Sequence, residues 1–383
     1  MTILCALIFP STGDAVSLAL GLFTILYISA LLWIFFGLNR LRSKTTADQP
    51  FVSVIVAARN EEENIEQLLG ALTRQNYPAS RYEIIIVDDQ STDRTAARVA
   101  SFADDRIKLL QTENRHQVIS PKKNAITLAI HAAKGEIILL TDADCRPPAQ
   151  WIEGMVRLFT PEVGMVIGFS PCELPRLSFP FGYLLALESL SLATIAAGTA
   201  GWGVPATCNG RNLAYRKQVY EQVGGFGKIQ NFVSGDDDLM LKLVQRTEWK
   251  IQYAYASHLA VPTFLVKNLR QFVNQRLRHA SKSFHYDFKK VVVLLIVYIY
   301  NLALLVGVPI LFYQKSPWSL LFIGLKAYFE WTLLFRFAAH MRRVRYLWIF
   351  PFAELLHVPY VVIFGALGPF IKFTWKERHA PHT

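Results

Sequence analysis

The sequence predicts an α/β domain with a mostly parallel sheet, inserted between an N-terminal transmembrane helix and a C-terminal bundle of transmembrane segments. Three observations support this prediction. Strand-like and helix-like segments alternate from residue 51 to about residue 170, which is typical of a parallel sheet covered on both faces. Residues 15–38 carry no charge and are long enough to cross a bilayer. A second uncharged stretch covers residues 291–313.

The composition agrees with this mixture. Of the 383 residues, 52% are hydrophobic and 18% are charged, which fits one soluble domain together with several membrane segments. The formal net charge of +11 is compatible with nucleic acid, anionic lipid or a phosphorylated substrate as partner. No zinc-finger spacing, ribonucleoprotein motif or basic helix supports nucleic acid, so we expect no nucleic-acid partner. Four widely spaced cysteines without a CxxC argue against a disulfide framework.

The basic residues next to the two uncharged stretches predict the orientation in the membrane. They are Arg40, Arg42 and Lys44 after the first stretch and Lys289 and Lys290 before the second. Because such residues favour the cytoplasmic side, the sequence predicts an integral protein of the inner membrane whose soluble domain is cytoplasmic. The predicted division is a membrane anchor at 1–40, a soluble domain at 50–290 and transmembrane segments at 291–373.

Two further apolar stretches follow, at residues 318–335 and 346–373. The first contains Lys326 and Glu330, one helical turn apart, which either neutralise each other or have a function. The second is interrupted by prolines and by ionisable residues, so a spanning segment and a re-entrant segment both remain open. Four spans would place the C-terminus outside, whereas the basic residues near the C-terminus favour the inside.

Each element of the soluble part follows from its local pattern. Apolar runs predict strands at 51–57, 83–88, 106–111 and 136–141. Amphipathic patterns predict helices at 61–75, 91–102 and 121–133, the second capped by Ser91 and the third beginning at Pro121.

Polar clusters follow three of the predicted strands. They are Arg59, Asn60 and Glu61 after the first strand, Asp88 and Asp89 after the second, and Asp142 and Asp144 after the fourth. In parallel sheets ligands bind beyond the carboxyl ends of the strands, so we expect one site there. No glycine-rich phosphate loop is present, which excludes a dinucleotide-binding or P-loop domain.

Asp142 and Asp144 are two residues apart at the end of an apolar strand, so their side chains point the same way on an extended chain. Like charges at this distance need a metal ion, an arginine cluster or solvent in front of them. Carboxylate oxygens facing a phosphorylated ligand suit Mg²⁺ or Mn²⁺, and no histidine or cysteine cluster competes for zinc. The sequence therefore predicts a metal held by this pair.

Six motifs appear in a characteristic order between residues 50 and 290: VSVIVAARNEEENI, EIIIVDDQSTDRT, EIILLTDADC, NGRNLAYRK, SGDDDLML and QRLRHASKS. Together they resemble the membrane-bound family-2 glycosyltransferases, and the chain is similar to members that glycosylate lipids or carotenoids. The resemblance implies a GT-A fold, which is a Rossmann-like nucleotide-sugar-binding fold. It also implies an inverting, metal-dependent hexosyltransferase.

The resemblance implies roles for individual residues. Asp142 and Asp144 correspond to the DxD that binds metal and diphosphate. The candidate nucleotide-sugar-binding residues are Ala58, Asn60, Glu61, Asp88, Asp89, Lys123, Asp142, Asn209, Arg211, Asn212, Gln275, Arg276 and Arg278. In SGDDDLML, alignment on Leu239 places the catalytic base on Asp236, but Gly235 replaces the first acid of the family pattern. Both Asp236 and Asp237 therefore remain candidates. A base is required because inversion needs a carboxylate to deprotonate the attacking hydroxyl.

Two segments keep alternative interpretations. In QRLRH, His279 replaces a tryptophan that accompanies polymerising members, and the same stretch also fits a basic helix at the lipid surface. Residues 179–203 fit either a core helix or a helix at the membrane surface, where Glu188 is a candidate contact for the acceptor.

The predicted function is the transfer of a single sugar from a UDP- or GDP-sugar to a membrane lipid. The acceptor classes left open are a polyprenyl phosphate, a glycolipid, a diacylglycerol and a hydroxylated terpenoid. The alternative is a processive polysaccharide synthase, against which the small number of spans and His279 argue. A non-catalytic nucleotide-sugar-binding protein has no need of both a DxD and a base, and a transporter would need more spans.

Overall fold

The computed structural model describes residues 12–42, 44–112, 120–173, 180–232, 235–263, 288–367, 374–375 and 378–379. The chain divides into two compact units. The helix unit comprises the described parts of Met1–Phe35, Val266–Arg336 and Val344–Ala380. The sheet unit comprises the described parts of Phe36–Leu265 together with Phe337–Arg343.

The sheet unit is built on a seven-stranded sheet of order β3-β2-β1-β4-β6-β5-β7. The strands are β1 Val52–Ala58, β2 Tyr82–Asp88, β3 Ile107–Gln111, β4 Ile137–Leu140, β5 Val163–Gly168, β6 Leu213–Arg216 and β7 Lys250–Ala254. All neighbouring pairs are parallel except those of β6, which runs antiparallel to both β4 and β5. The predicted mostly parallel α/β sheet is confirmed.

The central strands are apolar because both faces of the sheet are covered. Every residue of β2 is buried, and β1 is buried except for one partly exposed position. β1 and β2 are in register from Val52 opposite Tyr82 to Ala58 opposite Asp88. This register brings the ends of the two strands level, so the polar residues that follow them meet at one edge.

Among the described residues, seven α-helices of the sheet unit accompany this sheet. They are α2 Ile65–Thr73, α3 Thr95–Ala100, α4 Pro121–Ala132, α5 Trp151–Arg157, α6 Phe181–Ala200, α7 Lys217–Gln222 and α8 Asp238–Gln245. As predicted, α4 begins at Pro121. Ser91 does not cap α3, because its hydroxyl accepts a hydrogen bond from the Asn60 backbone instead, at 3.0 Å. α3 therefore begins four residues later than expected.

α6 is one of the two segments with alternative interpretations. It forms a 20-residue helix, and more than half of its residues are buried. Near its C-terminus it approaches the end of the N-terminal helix closely: a Cβ on Gly37 would lie 1.9 Å from the carbonyl oxygen of Gly198. The burial favours the core-helix interpretation for this part of the segment.

The helices of the helix unit are α1 Thr12–Arg40, α9 Phe288–Tyr313, α10 Trp318–His340 and α11 Phe350–Leu367, with the last residues of α1 and α10 grouped in the sheet unit. A short two-stranded ladder joins Thr374–Trp375 to Arg378–His379. Among the described residues, four helical segments are long and apolar enough to cross a membrane: Gly13–Arg40, Phe181–Ala200, Val291–Tyr313 and Val344–Ala366.

Gly13–Arg40 and Val291–Tyr313 match two predicted spans. The last segment includes most of α11, which continues through Pro359 without a break. α10, predicted as a span from residues 318–335, is not among the four. Lys326, Glu330 and Arg336 lower its hydropathy.

Candidate active site

The loops after β1 and β2 are tied together at the carboxyl edge of the sheet. The Asp89 backbone donates to the Ala58 carbonyl at 2.8 Å, and the Arg59 guanidinium donates to the Asp89 carbonyl at 2.9 Å. The Asn60 side chain accepts from the backbone N–H of Thr92 at 2.9 Å. Asn60 itself has a φ of 53°, a left-handed conformation that asparagine tolerates better than most residues.

Glu61 and Asp88 complete this half of the site. The Glu61 backbone donates to the Thr95 hydroxyl at 2.8 Å, which fixes the start of α3 against the loop. Asp88 is 4% exposed, and its Oδ1 has no hydrogen-bond partner in the described part of the chain. A buried carboxylate oxygen of this kind is costly unless a ligand group satisfies it. Asp88 therefore lies where a ligand donor is needed.

Lys122, at the start of α4, joins two acids from different parts of the chain. Its Nζ lies 2.9 Å from Asp142 Oδ1 and 3.0 Å from Asp236 Oδ2. Burial alone would lower the pKa of Lys122, but the charges of Asp142 and Asp236 raise it above its usual value. Burial would raise the pKa of Asp142, but the Lys122 ammonium holds it below its usual range. The lysine therefore stays charged and keeps Asp142 ionised.

Asp144 has a different environment from Asp142. Burial, together with the charge of Asp142, raises the pKa of Asp144 above its usual value. Among the described residues, the hydrogen bond to its carboxylate comes from the weakly donating thiol of Cys145, at 3.6 Å. A carboxylate pair with one poorly satisfied member has the oxygen donors that Mg²⁺ and Mn²⁺ prefer. The donor set therefore fits the predicted metal.

The three consecutive acids at the start of α8 have different partners. Asp236, which is 7% exposed, contacts Lys122. Asp237 is the N-cap of α8: its Oδ1 accepts from the Asp238 backbone at 2.7 Å, and its Oδ2 accepts from the Gly210 backbone at 3.2 Å. Asp238 accepts from Thr207 and Cys208. Asp237 and Asp238 thus hold backbone and loop groups, whereas Asp236 faces the lysine that holds Asp142.

The segment from Asn209 to Asn212 lies just before β6, at the same edge. A Cβ on Gly210 would lie 3.2 Å from Asp236 Oδ2, so a side chain there would crowd the acid. Burial alone would lower the pKa of Arg211. Neighbouring groups, Asp144 and Asp142 among them, outweigh burial and raise this pKa above its usual value. Arg211 therefore adds a positive charge near the DxD.

Asn212 is placed differently from a residue that contacts a sugar. It is completely buried, its Oδ1 accepts from the Trp151 indole at 2.9 Å, and its amide donates to the Phe169 and Leu259 carbonyls. These three hydrogen bonds use the side chain within the protein. Asn212 thus positions the segment that carries Asn209 and Arg211.

The two neighbouring lysines at the start of α4 have different partners. Lys123, which the sequence analysis named, is 3% exposed and donates to the carbonyls of Ile229 and Phe232 at 2.6 and 2.8 Å. Lys122, which the sequence analysis did not name, contacts the acids. On a helix, adjacent residues point in directions about 100° apart, so only one of them can face the site. The signal in the sequence that could have identified Lys122 was the pair of adjacent lysines at the start of this helix.

Gln275, Arg276 and Arg278 lie outside the described residues, as does His279. Their predicted part in binding the nucleotide sugar remains a prediction. Several parts of the sheet unit meet at the carboxyl edge of the parallel strands β1, β2 and β4. They are the loops after β1 and β2, the loop after β4, the start of α4, the segment before β6 and the segment before α8.

The chain is similar in sequence to known proteins over most of the sheet unit. Residues 53–223 match the family described as glycosyl transferase family 2. A beta-monoglucosyldiacylglycerol synthase from Nostoc sp. is 31% identical over 234 residues, which cover 61% of this chain and 49% of that protein. Glycosyltransferase AglE from Haloferax volcanii is 31% identical over 214 residues, covering 55% of this chain and 66% of that protein. The chain thus spans about half the length of the Nostoc relative.

Among solved structures, the mannosyltransferase PcManGT from Pyrobaculum calidifontis, in complex with GDP-Man and Mn²⁺, is similar with a TM-score of 0.57. The similarity covers 95% of this chain and 99% of that chain at 21% sequence identity, and it supports the fold alone. The match of residues 53–223, the seven-stranded mixed sheet and this structural similarity agree. Residues 53–223 therefore carry a glycosyl transferase family 2 domain, and the fold of the sheet unit is GT-A-like.

Proposed function

We propose that this protein transfers a single sugar from a nucleotide-sugar donor to a lipid acceptor in the membrane, with inversion at the anomeric carbon. The observation that carries the proposal is the position of Lys122, whose ammonium contacts both the first acid of the DxD and the candidate base Asp236. One cation thus joins the diphosphate end of the donor site to the point where the acceptor hydroxyl must be deprotonated.

The nucleoside is assigned to the loops after β1 and β2, and the diphosphate to the edge of β4. Asp88, with its unsatisfied buried oxygen, supports the first assignment. Asp142 and Asp144 would hold Mg²⁺ or Mn²⁺, which, when bound, would neutralise charge on the diphosphate. Lys122 and Arg211 are positive groups of this chain on the same side, and they would stabilise the extra charge of the leaving diphosphate.

Asp236 is assigned as the general base. Both oxygens of Asp237 accept hydrogen bonds from backbone N–H groups, whereas the carboxylate of Asp236 contacts the Lys122 side chain. The Lys122 ammonium thus lies beside the carboxylate that would abstract the proton. The acceptor hydroxyl would lose its proton to Asp236 while its oxygen bonds to the anomeric carbon and the diphosphate leaves from the opposite face.

A lipid acceptor is supported by two observations. The chain contains apolar helices long enough to cross a membrane. A relative that aligns with 61% of the chain is named beta-monoglucosyldiacylglycerol synthase. Among the acceptor classes left open by the sequence, a diacylglycerol is the one supported by that name. The proposed location is the cytoplasmic membrane, with the GT-A domain on the cytoplasmic side.

The test is a transfer assay with membranes that contain the full chain. A panel of radiolabelled UDP- and GDP-sugars is supplied with diacylglycerol, a polyprenyl phosphate or no added lipid, and labelled lipids are identified by mass spectrometry. Membranes containing Asp144→Asn at equal abundance are the control. We expect one donor to label one lipid with a single sugar, and the control to show little label. Absence of lipid labelling above the control with every donor would overturn the proposal.

A further inference from the structure

Four ionisable side chains meet among the apolar helices of the helix unit. Lys326 and Glu330 lie on α10, and Glu354 and His357 lie on α11. The Lys326 side chain is 1% exposed, and those of Glu330 and Glu354 are 12% and 10% exposed. Buried ionisable groups on apolar helices are costly and usually have a function, so this cluster requires an explanation beyond packing.

Lys326 lies at the centre of the cluster. Its Nζ is 2.8 Å from Glu330 Oε1, 2.6 Å from Glu354 Oε1 and 3.1 Å from His357 Nδ1. An ammonium has three N–H donors and no acceptor, so each donor has one partner here. His357 Nδ1 must therefore accept, which makes the imidazole neutral with its proton on Nε2. In this arrangement Lys326 carries the positive charge of the four-residue cluster.

The charges of this arrangement do not balance. Two carboxylates, one ammonium and a neutral imidazole sum to one negative charge. Among the described residues, the other titratable groups that face the cluster are two tyrosines. Tyr27 on α1 donates to Glu330 Oε1 at 2.5 Å, and the Tyr300 hydroxyl on α9 lies 3.3 Å from that of Thr24. Neither tyrosine supplies positive charge. An uncompensated charge in so buried a place is strongly unfavourable, and one bound proton removes it.

The hydrogen bonds indicate which carboxyl group takes the proton. Glu330 accepts from two donors, Lys326 and Tyr27, and is therefore the better-stabilised anion. Glu354 has the Lys326 ammonium as its donor in the described part of the helix unit. The carboxylate oxygens of Glu330 and Glu354 lie within 4.8 Å of each other, so a proton on Glu354 also relieves their mutual repulsion.

We propose that Glu354 carries a proton at neutral pH, and that this cluster is a proton-binding site that joins α1, α10 and α11. Folding then takes up one proton, because an isolated glutamate is ionised at neutral pH. The stability that the cluster contributes is therefore present at low pH and is lost as the pH rises and Glu354 ionises. The helix unit becomes sensitive to pH through a group remote in sequence from the nucleotide-sugar residues.

Matched glutamine substitutions on the two carboxyl groups test the proposal in the full-length protein in lipid nanodiscs. Glu354→Gln imitates the protonated state, so we expect a melting temperature close to that of the wild type at about pH 6, with less loss than the wild type on going to about pH 9. Glu330→Gln removes the charge that Lys326 and Tyr27 stabilise, so we expect a lower melting temperature throughout. Equal loss in both variants, or the reverse order, would overturn the assignment.

Infrared spectroscopy provides a readout of the proton itself. The difference spectrum between the wild type and Glu354→Gln at neutral pH should contain a carboxylic-acid C=O stretching band that shifts in D₂O. If Glu354→Gln does not fold, the wild type alone should show such a band, and the band should disappear as the pH is raised. Absence of the band in either experiment would contradict the proposal, because Glu354 would then be ionised.

Discussion

The ammonium of Lys122 lies 3.0 Å from the carboxylate of Asp236, although the two residues are 114 positions apart in the sequence. The same ammonium lies 2.9 Å from Asp142. This contact connects the two chemical tasks proposed for the site, charge neutralisation at the diphosphate and deprotonation of the acceptor.

Lys122→Met should lower turnover, because it removes a positive group from the leaving diphosphate and leaves Asp142 and Asp236 without their shared partner. The expected loss is about 10²- to 10³-fold, the usual cost of removing one preorganised stabilising group. Lys123→Met is the comparison, since Lys123 donates to the carbonyls of Ile229 and Phe232. It should lower the melting temperature and leave turnover per folded molecule nearly unchanged. Similar turnover losses in the two variants would argue against a specific role for Lys122.

Asp144→Asn should weaken the divalent-metal dependence of activity while the fold is retained. Asp144 has a weakly donating thiol as its partner, so its loss breaks few contacts within the protein. Activity should be measured against Mg²⁺ and Mn²⁺ concentration, with melting temperatures as the control for folding. We expect the wild type to be inactive in chelator and the variant to need far more metal. Full wild-type activity in chelator would remove the metal from the mechanism.

The segment from residue 40 to residue 290 should be protected from protease in sealed, right-side-out membrane vesicles. The physical reason is the group of basic residues that flank the apolar stretches at residues 15–38 and 291–313, since lysine and arginine favour the cytoplasmic side. Detergent-permeabilised vesicles serve as the control, in which the segment should be cut. Cleavage in the sealed vesicles would reverse the proposed orientation.

Glu83→Gln should destabilise the sheet unit at neutral pH. Glu83 accepts from the Ser53 hydroxyl and from the Lys134 backbone, both at 2.7 Å, and it pairs with Lys108. Burial would raise the pKa of Glu83, but the hydrogen bonds from Lys108, Lys134 and Ser53 hold it below its usual range. The charged network should contribute about 1 to 3 kcal/mol, towards the low end because water screens the partly exposed Lys108.

The pH dependence of this effect has a definite sign. Because the pKa of Glu83 is lowered on folding, its contribution is present above about pH 4.3, the usual value for glutamate, and is lost as the pH falls further. Denaturant unfolding of wild type and Glu83→Gln at neutral and acidic pH should therefore show a difference that narrows on acidification. A difference that is constant or widens would mean that the carboxylate charge is not what stabilises the network.

Much of the site could be predicted from the sequence because its signals are local. Apolar runs followed by acids marked the ends of β1, β2 and β4, and parallel strands bring such ends to one edge. Alternation of strand and helix predicted the sheet and its mostly parallel order. The antiparallel strand β6 carries no such signal, since its four residues do not reveal which neighbours they pair with.

The contacts that were not predicted are long-range. Nothing local distinguishes Lys122 from Lys123, because the difference depends on how α4 is rotated against the sheet. The sequence shows that Lys326 and Glu330 are one turn apart, but not that α11 places Glu354 and His357 against the same lysine. The helical start expected at Ser91 was wrong because the Asn60 backbone, 31 residues away, uses the hydroxyl.

The assignment of the base follows from the contrast between two neighbouring acids. Asp237 accepts from two backbone N–H groups, so Asp237→Asn should cost roughly 0.5 to 2 kcal/mol of stability, as for loss of a helix cap, with a mild effect on turnover. Asp236→Asn keeps the shape of the side chain and removes the charge that accepts the proton. It should lower turnover about 10²- to 10⁴-fold, the usual contribution of general-base catalysis, with nearly unchanged nucleotide affinity.

The central claim is tested most directly by comparing Asp236→Asn with Asp237→Asn. Two quantities are measured for each variant: turnover at a saturating donor concentration, and affinity for the nucleotide. The predicted result is a severe loss of turnover in Asp236→Asn alone, with both variants binding nucleotide nearly as well as the wild type. Severe loss in Asp237→Asn with an active Asp236→Asn would move the base by one residue. Joint loss of turnover and nucleotide binding in both variants would contradict the claim, because the acids beside Lys122 would then be a binding or structural cluster without a base.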